Sequence, residues 1–148
     1  MVAYSGLDDC VIFDFETLSQ NPQNGAVLSM AMLNFTAHRF TTLGEPYTYE
    51  ELLANTHYIK FDIKDQVKSW GRKIEKGTVE WWGKQSKEAQ DAIKPLPTDR
   101  SIADLYNFFV VKRATNIDKV YSRRNTFDPV FMSSLMKSTG NPEPYNWW

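Results

Sequence analysis

Cys10-Val11-Ile12-Phe13-Asp14-Phe15-Glu16-Thr17 is the stretch whose reading decides the fold. A short apolar and aromatic run of this kind reads as a buried strand, and it leads straight into two carboxylates separated by one residue. Side chains two apart on a strand project from the same face, which puts the Cα atoms of Asp14 and Glu16 ~6.6 Å apart. Two acids so placed repel one another unless a cation lies between them. A pair of divalent ions ~3.5–4 Å apart suits that spacing. The same two acids could instead open a solvated loop that Thr17-Leu18-Ser19 continues, and the stretch alone leaves both readings open.

Outward from this strand, Ser19 to Gly25 is rich in turn formers and leads into a second apolar run, Ala26 to Phe35, so a hairpin is expected. Phe40 to Leu43 and Tyr58 to Phe61 read as short strands, with a helical turn at Glu50 to Leu53 between them. From Asp62 the pattern becomes helical, with Ile63, Val67 and Trp70 sharing a face. Thr78 can cap a segment holding Val79, Trp81 and Trp82, and Ser86 opens a helix running through Ile93. Ser101 to Asp104 has capping-box spacing ahead of Leu105, Phe108 and Phe109. Lys119 to Ser122 reads as a strand, and Phe127 to Met136 as a helix ending at Gly140. Antiparallel strands followed by helices alternating with a strand indicate an α/β fold, a mixed sheet with helices packed on it.

The totals bound the function. A chain of 148 residues without repeats or low-complexity tracts fits one domain, residues 1–148. No apolar run approaches the ~18–20 residues of a bilayer span, and the first residues lack a signal-peptide pattern, so a soluble, cytoplasmic protein is expected. The single cysteine, Cys10, excludes an internal disulfide and a thiolate-rich zinc site, and two histidines exclude a histidine-rich one. Any metal is therefore held by oxygen, which favours magnesium or manganese. A net charge of −1 argues weakly against a nucleic-acid binder, because a metal-dependent nuclease brings positive charge with its ions.

A second constellation lies at Ser122-Arg123-Arg124-Asn125-Thr126-Phe127-Asp128-Pro129. A strand feeds a polar turn and then a helix, with Asp128 suited to cap it and Pro129 suited to its first position. A capping Asp can still face a metal. Arg123 and Arg124 read equally as phosphate holders and as surface arginines.

Taken together, Asp14-Phe15-Glu16-Thr17 and Asn125-Thr126-Phe127-Asp128 resemble the first and second motifs of the DEDD exonuclease superfamily, which has the ribonuclease H-like fold. Ile59 to Lys64, the string Thr78-Val79-Glu80-Trp81-Trp82-Gly83-Lys84-Gln85-Ser86, and Glu88-Ala89 look like stretches of the bacteriophage 3′-5′ exonucleases of the exonuclease A type. The resemblance implies a sheet of antiparallel first strands joined by parallel ones. It also implies a hydrolase that removes nucleotides from the 3′ end of single-stranded DNA or RNA, and two Mg²⁺ or Mn²⁺ ions held by Asp14, Glu16 and Asp128. Thr17, Leu18, Trp81, Trp82, Arg123, Arg124, Asn125 and Phe127 become expected nucleic-acid contacts. The tryptophans keep two readings, wall of a core or groove and platform for a base.

The family's third motif, a fourth carboxylate preceded by His or Tyr, has no counterpart. After Asp128 the only acid is Glu143, between two prolines, and no histidine follows. Two explanations fit this gap: the sequence is the front part of a longer exonuclease lacking its C-terminal helices, or it is a short form that binds nucleic acid or a protein without catalysis. The first is expected, with activity of these 148 residues alone near background.

Overall fold

A computed structural model describes residues 9–37, 39, 43–113, 117 and 119–146. β1 (Asp9–Thr17), β2 (Val27–Thr36), β3 (Thr56–Lys60) and β4 (Lys119–Tyr121) form one sheet in the order β3-β2-β1-β4. β1 pairs antiparallel with β2, β2 antiparallel with β3, and β1 parallel with β4, where Val11 faces Val120. This is the expected mixed sheet of antiparallel strands with a parallel one added. The expected strand at Phe40 to Leu43 falls largely on residues outside those described.

The alternation in β1 sorts its two jobs. Val11, Phe13 and Phe15 are buried while Ile12, Asp14 and Glu16 point outward. The buried set packs with Met30, Met32 and Ile59 against Leu105 and Phe109 of one helix and Phe131 and Leu135 of another. Phe13 meets Phe109 edge-on at 5.9 Å, an arrangement that favours the ring quadrupoles. Burying about fifteen such side chains, at roughly 1.5–3 kcal/mol each, supplies the main driving force for folding.

The helices with described bounds are α1 (Tyr49–Ala54), α2 (Ile63–Trp70), α3 (Lys76–Trp82), α4 (Lys87–Ala92), a 3₁₀ turn (Ile102–Asp104) leading into α5 (Leu105–Lys112), and α6 (Asp128–Thr139). α2 starts at Asp62, whose side chain accepts the Asp65 N–H, and stops at Gly71 with φ 65°. α6 stops at Gly140 with φ 70°. Positive φ suits glycine because it has no Cβ to clash.

Several local expectations are corrected. Val67 is exposed on α2, and the residue buried there is Gln66, whose amide pairs both ways with the Val27 backbone at 2.9 and 2.7 Å. Hydrogen bonding lets a polar side chain replace an apolar one in that position. Thr78 does not cap α3; it lies buried in the first turn behind the cap residue Glu75. Ser101 caps through Ala103 N–H at 3.1 Å, a tighter 3₁₀ start than the capping box. Asp128 is not the cap of α6 but its first residue, with Phe127 at the cap position and no side-chain cap bond.

Candidate active site

The residue freed from capping does something else. Asp128 is 2% exposed, and its Oδ1 accepts the Phe15 N–H at 2.9 Å. The middle residue of the Asp14-Phe15-Glu16 motif thus holds the second-motif acid through its backbone, while its ring packs near Phe131 of α6. Asp14 and Glu16 flank that bond from the outward face of β1. The register then shifts between Glu16 and Thr17, where Leu28 is the extra residue on β2, so that Thr17 opposes Val27.

The acids perturb one another unequally. Burial pushes the Asp128 carboxyl up to about 6, with Asp14 adding to the rise. Glu16 is raised by burial and then by Asp14 and Asp128. Asp14 is raised by burial, against a weaker opposing pull from Arg123. Among the described residues none of the three forms an ion pair within 4 Å. Against the pull of Arg123 on Asp14 and of Arg124 on Asp128, Asp14 raises Glu16 and Asp128, and Asp128 raises Glu16, so the three acids form one electrostatic group. Their side chains do not close into a ligand shell: among the described residues no group of three His, Cys, Asp or Glu is placed to hold one ion.

Beside Glu16 lies a cleft of about 220 Å³ that brings together Thr17, Trp81, Trp82, Arg124 and Phe127, all singled out in the sequence. Trp82 is buried, and its Nε1 donates to Thr17 O at 2.9 Å, so it is a wall. Trp81 stands edge-on to it at 5.1 Å and keeps 54% of its surface exposed. Leu18 is not in the cleft; it packs with Ala26, Leu28 and Trp82 in a small second core. Arg123 is exposed and acts on Asp14 through its charge. Asn125 lines a separate cavity of about 650 Å³ beside β4, with Phe13, Arg113 and Tyr145.

Sequence reading missed Gln20 and Thr78, which also line the cleft. Gln20 N–H donates to Glu75 Oε2 at 2.8 Å, fixing the loop after β1 to the start of α3. The Thr78-x-x-Trp81-Trp82 spacing was the available signal for Thr78, but nothing in the sequence pointed to Gln20.

The sequence matches the 3′-5′ exoribonuclease Rv2179c-like domain over residues 9–148. The chain belongs to that family. An exodeoxyribonuclease of Enterobacteria phage T4 is 35% identical over 108 residues, 72% of this chain and 44% of that protein. A zinc-bound Escherichia coli exonuclease I complex with single-stranded DNA superposes with a TM-score of 0.58 at 16% identity, over 95% of this chain and 26% of that one. The metal-free form of that complex gives 0.57 at 14% identity, with the same coverage. The ribonuclease H-like fold shared by the family and exonuclease I is therefore the fold of this chain. The chain spans less than half the length of the phage relative and about a quarter of exonuclease I.

Proposed function

We propose that the family domain described here is the catalytic portion of a cytoplasmic, metal-dependent 3′-5′ exonuclease acting on single-stranded nucleic acid. The observation that carries this reading is the gathering of Asp14, Glu16 and Asp128 about the Phe15 N–H bond, with Asp14 raising both of the other acids and Asp128 also raising Glu16. All their donors are oxygens, which fits a hard cation such as Mg²⁺ or Mn²⁺, and a pair of ions fits the Asp14 and Glu16 spacing. A divalent cation there supplies Lewis acidity at the phosphodiester and makes a water easier to deprotonate.

The chain's own residues then divide the work. Asp14, Glu16 and Asp128 would supply the oxygens for the cation, their side chains closing in from the open arrangement described above, and the Phe15 N–H fixes one oxygen of Asp128. Glu16, at the rim of the cleft, orients the attacking water. The exposed Trp81 ring stacks on a base whatever its identity, and Arg124 meets a phosphate. The family description names an exoribonuclease and the phage relative is an exodeoxyribonuclease, so the substrate is assigned by its single strand and not by its sugar.

A second reading, a module that binds without cleaving, is favoured by the absence of a closed three-ligand group among the described residues. Oligonucleotides labelled at the 5′ end separate the two. The exonuclease reading expects Mg²⁺ to tighten binding, and any cleavage ladder to shorten from the 3′ end and vanish in Asp14→Ala. Turnover by the 148 residues alone stays near background for want of the fourth acid. Binding that persists unchanged in EDTA, with no Mg²⁺-dependent effect of Asp14→Ala, contradicts it.

A further inference from the structure

Arg72 is a charged residue that neither the motifs nor the proposed chemistry uses. Its side chain is buried, with the residue 2% exposed. Nε donates to Gly25 O at 2.9 Å, in the loop joining β1 to β2. Nη1 donates to Ser134 Oγ at 2.6 Å and reaches Ser138 Oγ at 3.4 Å, one turn further along α6. Ser134 Oγ in turn donates to Gln23 O at 2.6 Å, so loop and helix are joined twice. Among the described residues no carboxylate pairs with the guanidinium, and Nη2 is buried without a partner. A buried unpaired charge is costly, so attraction to an acid does not explain the arginine. Its planar fork does, because it spans two elements with fixed geometry, which a lysine cannot.

Those two elements carry the two halves of the site. The loop follows the strand of Asp14 and Glu16, and it is closely packed: a Cβ on Gly25 would lie 2.6 Å from Asn21 O and from Ser19 Cβ. α6 begins at Asp128, six residues before Ser134, or about 9 Å along the axis at ~1.5 Å per residue. We propose that Arg72 is a positioning residue that sets the axial register of α6 against the β1–β2 loop, and thereby the placement of Asp128 against Asp14 and Glu16. The functional part of this inference rests on the cation reading above, whereas the register is measured independently of it.

The test is amide hydrogen exchange in the full chain. The Phe15 N–H is held by Asp128, while the Met30 and Met32 amides lie in β2, which has a partner strand on both sides. In Arg72→Met, exchange at Phe15 rises at least 10-fold relative to Met30 and Met32, and Mn²⁺ binding weakens about 10-fold. Ser134→Ala, a smaller change that leaves the fold intact, raises the same ratio about 3-fold, and Arg72→Lys falls between wild type and Arg72→Met. A lower melting temperature with an unchanged exchange ratio in both Arg72→Met and Ser134→Ala makes Arg72 merely structural and overturns the proposal. If wild type binds no Mn²⁺, the cation reading fails, and the exchange ratio still decides the role of Arg72.

Discussion

Asp128→Asn is the most informative single substitution, because Asn keeps the shape and the oxygen that accepts the Phe15 N–H while removing the charge. The carboxyl is held at about 6 against an ordinary 3.8, so the folded state binds its proton more tightly than the unfolded state. The resulting stability is fully present below about pH 3.8 and is lost as pH rises through about 6. At ~1.4 kcal/mol per pH unit the loss amounts to about 3 kcal/mol by pH 7.5. For a domain of this size that is roughly 6–12 °C in melting temperature. Thermal melts in EDTA from pH 4 to 8 test it: the two proteins are expected to converge near pH 4 and Asp128→Asn to melt higher at pH 7.5. Mg²⁺ should raise wild type alone. Parallel pH profiles for the two proteins would refute the electrostatic reasoning.

Other substitutions separate wall from platform. Trp82→Phe removes the donor to Thr17 O and is expected to cost about 1–3 kcal/mol in urea unfolding, through the stranded carbonyl. Trp81→Ala, at an exposed position, should change stability by less than about 1 kcal/mol but weaken single-stranded oligonucleotide binding by about 1–3 kcal/mol in fluorescence anisotropy. Gly25→Ala should destabilise by about 1–3 kcal/mol in the same urea series, since its Cβ meets backbone that cannot move aside.

The sheet was legible because its strands are strongly patterned. Val11, Phe13 and Phe15 alternate with Ile12, Asp14 and Glu16, and a one-residue slip would have buried both acids. The two acidic motifs were legible for the same reason, since one ends a strand and the other starts a helix. Their physical link was not, because a bond from a backbone N–H to a side chain 113 residues away leaves no local trace. Asp128 before Pro129 carries a strong local preference for capping, and the tertiary bond to Phe15 overrides it. Gln66 and Arg72 escaped notice because a buried polar residue looks like an exposed one until its partners, Val27 in one case and Gly25 with Ser134 in the other, are brought to it. Leu18 shows the converse: adjacency to the motif suggested contact with nucleic acid, but just past the end of β1 its side chain packs into the small core with Ala26, Leu28 and Trp82.

The central claim is that Asp14, Glu16 and Asp128 act together on a divalent cation, and calorimetric titration of Mn²⁺ at pH 7.5 tests it most directly. Saturable binding is expected for wild type and at least 10-fold weaker binding for Asp14→Ala, with the two proteins melting at nearly the same temperature in EDTA. Equal Mn²⁺ affinity in wild type and Asp14→Ala would contradict the account.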